Sequence, residues 1–388
     1  MGGSLRYPSD LLKRLCQSTA RSPTGCLRRS NHRVGPIIPK RQFTVSSTLK
    51  TEVFHDVAAL RKYRKNLLFN NRTVGLVPTM GALHEGHLSL IRKAAAENTD
   101  VFVSIYVNPT QFGVNEDLDS YPKTWEADMR LLETLDKELA ASGAGRLSVV
   151  FAPSTKTMYP TLPPDSNIPG KGSFVEMRPL GQLLEGKSRP VFFRGVATVC
   201  MKLFNICTPD RVYFGQKDIQ QTVVIKNLVK DFHLDMDVRI GATQRESDGL
   251  ALSSRNVYLG ARRRSVGIVL NQALRKAEAH FKEGKRKRDD ILWAAHDHAN
   301  SVKLAQEELP ANQRALFEVD YISLADPETM EEIAEVDETK GAILSGAVKM
   351  LPVEEPQEGE NLGVGGGQIP VRLIDNIVID PVQKQSSS

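Results

Sequence analysis

The sequence lacks the features of several protein classes. It has no apolar run of the roughly 20 residues that a membrane-spanning helix needs, so no membrane association is expected. A basic stripe with interleaved aromatic residues is also missing, and residues 51–388 hold 41 basic and 45 acidic side chains. Nucleic acid is therefore not an expected partner, and an RNA-binding module is the least favoured class.

Cysteine is scarce, and its placement excludes a zinc module. The four residues, Cys16, Cys26, Cys200 and Cys207, show no zinc-ligand spacing. The last two lie in or beside an apolar segment, residues 196–206, which predicts buried reduced thiols in a helix.

Acidic residues are almost absent from the first 50 residues, which hold ten Lys or Arg and one acid, Asp10. This Arg- and Ser-rich stretch predicts a disordered mitochondrial presequence rather than a secretory signal. The alternative to a presequence is a disordered basic tail, and the alternative location is the cytoplasm. We expect a tail again at residues 382–388.

The first chemical motif lies at the end of a predicted buried strand, residues 73–77, which Pro78 should terminate. Residues 78–87 read PTMGALHEGH, and a helix is expected from about Gly86. His84 and His87 would then lie at the helix start, where free N–H groups and the helix dipole favour a polyphosphate. The alternative is two ordinary capping histidines. A zinc-protease motif is excluded, because its histidines are four residues apart and these are three apart.

A second motif follows the predicted strand 101–107, where Asn108 and Gln111 come after the strand end. Ligands bind at this edge of open α/β sheets, and amides can donate and accept hydrogen bonds. The two residues are therefore predicted to face hydroxyl and carboxylate groups of a small substrate, although each could be an ordinary turn or solvated residue.

Two further segments carry polar groups at predicted loop–helix junctions. Residues 211–221, RVYFGQKDIQQ, place Lys217 at a helix start with Gln221 one turn later. Residues 245–256, RESDGLALSSRN, place Ser253, Ser254 and Arg255 after a glycine turn. These groups could hold phosphates, although a solvated lysine and a serine cap are the plain alternatives.

Taken in order, the four motifs resemble the pantothenate synthetase (pantoate–β-alanine ligase) family. The resemblance covers residues from about 52 to the segment Arg372-Leu373-Ile374-Asp375-Asn376. It implies that ATP, with Mg²⁺, activates pantoate as pantoyl adenylate and that β-alanine then displaces AMP. It also implies a homodimer. The competing enzyme class, a nucleotidyltransferase that moves AMP onto a phosphate, shares the His-x-Gly-His motif but does not need the paired amides.

The resemblance also implies roles for individual residues. His84, His87 and Lys217 would be catalytic, with His87 as a proton donor. Gln111 and Gln221 would bind pantoate with Asn108 nearby, Gln111 would also serve β-alanine, and Asp128, in a predicted helix 125–142, would be the metal ligand. The implied ATP-binding residues are Met80, Gly81, Ala82, Leu83, His84, Glu85, Gly86, His87, Gly215, Gln216, Lys217, Asp218, Gln244, Leu252, Ser253, Ser254 and Arg255.

Three segments depart from the family pattern. Phe192 stands where the family has histidine, so we expect at most an apolar wall there, while Arg189 could bind an anion. Residues 161–172 and 352–367 are rich in Pro and Gly and are predicted to be loop insertions without effect on the chemistry.

The element pattern predicts an α/β fold with two domains. Strands near 73–77, 101–107, 148–152 and 211–214 alternate with helices, which indicates a Rossmann-like, doubly wound parallel sheet in residues 51–242. Residues 243–381 should form a smaller α/β domain, with helices at 262–283 and 286–309 and strands near 319–324, 343–349 and 371–379. The ATP site is expected between the two domains.

Overall fold

The computed structural model describes residues 50–113, 116, 118, 121–161 and 172–381. These residues belong to one compact unit that begins at Leu49. The predicted presequence, most of the first insertion and the tail lie outside the described residues. The predicted domain boundary at 242/243 therefore stays a prediction.

A six-stranded sheet forms the first half of the fold. Its strands are β1 (Glu52–Phe54), β2 (Val74–Thr79), β3 (Asp100–Ile105), β4 (Arg146–Phe151), β5 (Arg211–Gly215) and β6 (Asp237–Gly241). They are ordered β1-β4-β3-β2-β5-β6, and every recorded pairing is parallel. The predicted parallel sheet is confirmed, and the order changes direction between β2 and β5. Ligands of doubly wound sheets bind at such a switch point.

The sequence predicted the four central strands and missed the two edge strands. Strand β1 has only three residues, two of them exposed, and β6 alternates exposed or half-buried residues up to a buried Gly241. Neither segment carries the apolar run that reveals a strand buried on both faces.

Strand β2 runs two residues further than predicted, because Pro78 pairs with Ser104 and Thr79 with Ile105. Proline lacks only the N–H group, and successive residues of a strand alternate between its two neighbours. Thr79 accepts a hydrogen bond from Tyr106 N on the β3 side, so Pro78 is turned toward β5, where pairing stops at Leu76. The missing donor therefore breaks no bond, and the prediction that Pro78 ends the strand was wrong.

Helices cover both faces of this sheet. They are α1 (Val57–Phe69), α2 (Glu85–Glu97), α3 (Trp125–Ser142), α4 (Thr155–Met158), α5 (Glu185–Ser188), α6 (Phe192–Cys207) and α7 (Ile219–Asp231). Helix α6 packs into the larger core cluster, and α2 and α3 pack on the other face. Cys200 and Cys207 are buried and unpaired in α6, as predicted, and burial raises the pKa of each thiol to about 12.

The second half of the fold combines helices with a small antiparallel sheet. Its helices are α8 (Gly260–Val266), α9 (Val269–Lys282) and α10 (Arg288–Glu307), and its strands β7 (Phe317–Ala325), β8 (Ala342–Met350) and β9 (Val371–Ile379) lie in chain order. The predicted single helix 262–283 is broken at Gly267, whose N–H still bonds to Arg263 O. A Cβ at Gly267 would lie 3.1 Å from Leu373 of β9, so the break brings the chain close to the sheet.

The described part of the chain contains no helix long and apolar enough to cross a bilayer. The second predicted insertion, residues 352–367, contains no regular helix or strand, as expected. It packs against the start of α8, where Ala261 N donates to Asn361 O at 2.8 Å and Val364 N donates to Val257 O at 2.9 Å.

Candidate active site

A cavity of about 770 Å³ lies at the carboxyl ends of β2, β3 and β5 and is closed by residues of the second half. It brings together most of the predicted site residues. Those that line it are Met80, His84, Gly86, His87, Asn108, Gln111, Gly215, Lys217, Asp218, Gln221, Gln244, Leu252, Ser253, Ser254 and Arg255. Gly81, Ala82, Leu83, Glu85, Gln216 and Asp128 do not line it.

The turn between β2 and α2 is held by a buried carboxylate. Gly81 has φ +82° and Ala82 has φ 49°, conformations that glycine adopts readily and other residues rarely. Asp128, which is 2% exposed, accepts hydrogen bonds from Ala82 N at 3.0 Å and Leu83 N at 2.8 Å. Its Oδ2 also accepts one from Thr124 at 3.1 Å. These two backbone N–H groups are therefore engaged by Asp128.

Asp128 consequently has a structural role that the sequence did not predict. The alternative of a solvated helix residue is wrong, because the side chain is buried. The Asp128 carboxylate already accepts three hydrogen bonds, so a metal could use only its remaining lone pairs. Asp128 also does not line the cavity. The assignment of a metal to Asp128 stays a prediction that this geometry does not favour.

His84 and His87 begin helix α2 as a capping box. His84 is the N-cap, and its Nδ1 accepts a hydrogen bond from Gly86 N at 3.1 Å. His87 Nδ1 accepts one from His84 N at 3.4 Å. A ring nitrogen that accepts carries no proton, so the hydrogen of each neutral ring is on Nε2. The histidines can therefore both cap the helix and bind a ligand, because the capping contacts use Nδ1 and leave each Nε2–H as a donor for the cavity.

Both imidazoles are neutral in the ligand-free protein. Burial, followed by the charge of Lys217, lowers the pKa of His84 to about 4. Burial, followed by the neighbouring His84, lowers the pKa of His87 to about 3. The two rings are 4.2 Å apart, so two positive charges would repel each other. A bound polyanion would reverse this and favour protonation.

Lys217 enters the cavity from the neighbouring strand β5. The chain leaves β5 at Gly215 and forms a single 3-10 turn, Gln216–Asp218, before α7. The ammonium group lies 3.3 Å from Asp218 Oδ1, its one ion-pair partner among the described residues. The turn places a compact positive charge at a helix start, as the sequence predicted.

Ser253, Ser254 and Arg255 come from the second half of the fold. Ser253 caps a 3-10 turn by accepting a hydrogen bond from Arg255 N at 3.2 Å. The Ser254 hydroxyl is 3.1 Å from Tyr121 Oη, and the Arg255 guanidinium lies 5.9 Å from the centre of the Tyr121 ring. Tyr121 therefore links the loop before α3 to this segment.

Asn108 and Gln111 form the amide end of the cavity. Asn108, 1% exposed, donates to Gln111 Oε1 at 2.9 Å and to Gly195 O at 3.2 Å. Its oxygen accepts from Thr110 and Tyr159. Asn108 is thus satisfied by the protein and orients Gln111. The Gln111 Nε2 group bonds only weakly, to the Met80 sulfur at 3.1 Å, and can turn to a better acceptor.

Phe192, where the resemblance led us to expect histidine, lines the cavity as the first residue of α6. The Arg189 guanidinium stacks 3.7 Å above its ring and forms ion pairs with Glu116 at 2.5 Å and Glu185 at 3.1 Å. The expected apolar wall is present. The charge of Arg189 is already balanced, so the geometry does not favour the predicted anion site there.

The model of the family described as pantoate-β-alanine ligase matches residues 52–378. The chain belongs to this family. The pantothenate synthetase of Roseiflexus castenholzii is 43% identical over 294 residues, 76% of this chain and 94% of that protein. The pantoate–β-alanine ligase of Saccharomyces cerevisiae is 38% identical over 344 residues, 84% of this chain and all of that protein.

Solved structures of this family share the fold. Pantothenate synthetase from Thermus thermophilus superposes with a TM-score of 0.66 at 34% identity, covering 85% of this chain and 100% of that chain. The Francisella tularensis ligase, solved in complex with β-γ ATP and β-alanine, gives a TM-score of 0.57 at 30% identity, covering 85% of this chain and 98% of that chain.

Sequence reasoning missed several residues of this ligase-family cavity, among them Tyr121 and Asp375. Tyr121 follows a loop that carries no periodic signal. Asp375 did carry a periodic signal, because residues of the predicted strand 371–379 alternate between two faces. Asp375 falls on the same face as Val371, Leu373 and Ile377. A carboxylate on an apolar face indicates a buried partner.

Proposed function

We propose that this protein condenses pantoate with β-alanine at the expense of ATP and so forms pantothenate. One observation carries the proposal. The groups suited to a triphosphate, His84, His87, Lys217 and Ser253 to Arg255, surround the same cavity as the Gln111 and Gln221 amides. Nucleotide and hydroxy acid can therefore meet in one cavity.

The first step that we propose joins pantoate to AMP. A pantoate carboxylate oxygen attacks the α-phosphorus, and the bond to pyrophosphate breaks. Two anions must approach, so cations and donors must offset their repulsion and the charge that develops on the leaving group. Lys217 supplies a full charge, and the two imidazoles donate through Nε2–H, an atom that carries a proton in both the neutral and the protonated ring.

The second step transfers the acyl group to β-alanine. The deprotonated amine attacks the activated carbonyl carbon, the bond from that carbon to the AMP oxygen breaks, and the proton of the amine is lost. The Gln111 amide, held by Asn108, can orient pantoate in both steps. Binding both reactants in fixed orientation replaces a bimolecular encounter with a first-order step.

Mg²⁺ is part of the proposal as a companion of the triphosphate. The described residues contain no cluster of three or more His, Cys, Asp or Glu side chains suited to a metal. This fits a hard cation held mainly by phosphate oxygens and water, which requires only one or two carboxylates. Asp218 lines the cavity and is a better-placed carboxylate than Asp128. When bound, the metal would neutralise phosphate charge.

We also propose a homodimer and import into mitochondria. Light scattering of the purified protein tests the first, since a monomer mass would refute it. A fluorescent reporter fused behind residues 1–50 tests the second. Diffuse cytoplasmic fluorescence would favour the cytoplasmic alternative.

A substrate-omission assay on protein lacking residues 1–50 tests the activity. Pyrophosphate and AMP should form only when ATP and pantoate are both present, and pantothenate only when β-alanine is added. Release of pyrophosphate that is independent of pantoate would refute the substrate assignment. Transfer of AMP to a phosphate acceptor instead would favour the nucleotidyltransferase class.

A further inference from the structure

Strand β9 carries two adjacent buried polar residues, Asp375 and Asn376, which are 4% and 1% exposed. Adjacent residues of a strand project from opposite faces, so the pair serves two different neighbourhoods. Buried polar groups require partners, and here the partners belong to the two loops that bring charge to the cavity.

Asn376 holds the turn that carries Lys217. Its Nδ2 donates to Gln216 O at 2.8 Å and to Lys217 O at 2.9 Å, and its Oδ1 accepts from Gln216 Nε2 at 3.2 Å. The two carbonyls belong to the peptide groups on either side of the Lys217 Cα. Fixing both peptide planes fixes the backbone torsions of Lys217, and with them the direction in which its side chain leaves the backbone.

Asp375 holds the segment that leads to Ser253. Its carboxylate accepts two hydrogen bonds from Arg245, at 2.6 and 2.8 Å, and one from Asn271 at 3.0 Å. Arg245 also donates to Gly249 O at 3.1 Å and pairs through its backbone with Ala251. A two-pronged Arg–carboxylate pair is among the more rigid contacts in proteins. The same ion pair raises the pKa of Arg245.

We propose that Asn376 is a positioning residue for Lys217 and that the Asp375–Asn376 pair sets the separation of the two phosphate-side loops. The proposal rests on the proposed function, because it assumes that Lys217 acts on the triphosphate. Asn376 does not line the cavity, so its proposed role involves no contact with substrate.

A double-mutant cycle tests the proposal, with N376L and K217A made singly and together. Asn376→Leu keeps the size of the side chain and removes all three hydrogen bonds. We expect it to slow pantoate-dependent pyrophosphate release by roughly 10- to 100-fold in the wild-type background. In the K217A background the same change should cost no more than about twofold, since residues that act as a unit are not additive. Equal losses in both backgrounds would overturn the proposal.

Ser345→Ala is the matched control. Ser345 is the cross-strand partner of Asn376 on β8, is 1% exposed, and its hydroxyl has no hydrogen-bond partner among the described residues. It should retain wild-type turnover. A loss as large as that of N376L would show that any disturbance of the sheet has the same effect and would also overturn the proposal.

Two further measurements keep the test decisive. If N376L does not fold, Gln216→Ala, which removes one of the three bonds from a partly exposed residue, enters the same cycle with an expected loss of about threefold. ATP affinity is measured by calorimetry for every variant. If the wild type shows no pantoate-dependent pyrophosphate release, the proposed function fails. Non-additivity in ATP affinity then supports the positioning role, and additivity refutes it.

Discussion

The two halves of the protein supply charge to the cavity by different means. In the six-stranded sheet, His84, His87 and Lys217 follow directly from the ends of neighbouring strands β2 and β5. In the second half, Ser253 to Arg255 lie on a loop whose place depends on side-chain contacts such as Arg245 to Asp375 at 2.6 Å. The first set lies at strand ends that the sheet topology brings together, with its turns also held by Asp128 and Asn376, whereas the place of the second set depends on side-chain contacts throughout.

This contrast predicts that substitutions in the two halves affect different steps of the reaction. Removing a functional group of the first half should affect mainly the chemical step, because the sheet keeps the neighbouring groups in place. Removing a contact that holds only the Ser253 to Arg255 loop should affect mainly ATP binding, because that loop itself would move.

Lys217→Ala should reduce the rate of adenylate formation by about 100-fold or more, because it removes the full positive charge near the leaving group. Single-turnover measurement of pyrophosphate release checks this. Lys226→Ala, on the exposed side of the same helix α7, is the control and should be silent. Unchanged turnover in K217A would remove Lys217 from the site.

His87→Leu should slow the same step by about 100-fold, and His87→Gln by clearly less, because glutamine retains an N–H donor at a similar reach. Comparing the two rates separates donation through Nε2–H from the cap of helix α2. Equal losses would mean that the capping contact, or protonation of the ring, matters and the donor does not.

Lowering the pH in the absence of ATP should destabilise the protein, because two histidines of the first half resist protonation in the folded state. The unfolded chain protonates His84 and His87 near pH 6.5, whereas the folded protein does so only near pH 4 and pH 3. Stability is therefore fully present above pH 6.5 and lost as the pH falls toward the folded pKa values. At pH 5 each imidazole accounts for a loss of at most about 2 kcal/mol in the free energy of unfolding.

Denaturant unfolding at pH 7 and pH 5 measures this loss. The double variant His84→Gln, His87→Gln should have a flatter dependence on pH than the wild type. Parallel curves for the two proteins would contradict the lowered pKa values of His84 and His87 and would place the acid sensitivity elsewhere in the molecule.

Tyr121→Phe should have the smallest effect, a rise of about three- to tenfold in the KM for ATP with little change in kcat. It removes only the hydroxyl that lies 3.1 Å from Ser254. Tyr63→Phe, at a half-buried residue that packs against the apolar core and does not line the cavity, is a matched control. A fall in kcat without a change in KM would contradict the role assigned to the second half.

The same contrast explains what could be predicted from the sequence. The apolar runs of β2 to β5 and the residues after them revealed the central strands and the cavity edge, because burial on both faces leaves a clear pattern. The helix 125–142 was also predicted correctly.

The roles of Asp128 and Asn376 could not be predicted from local sequence patterns. The role of Asp128 depends on two N–H groups 45 and 46 residues earlier in the chain. The contact of Asn376 with Lys217 spans 159 residues. Such pairings are set by tertiary packing, and periodicity or turn chemistry carries no information about them.

The most direct test of the account is a crystal structure with pantoate and a non-hydrolysable ATP analogue. We predict phosphate oxygens within about 3.2 Å of an imidazole Nε2, of the Lys217 ammonium and of a group in Ser253 to Arg255 in the same molecule. A nucleotide whose phosphates contact only one half of the protein, with the groups of the other half beyond hydrogen-bond reach, would contradict it.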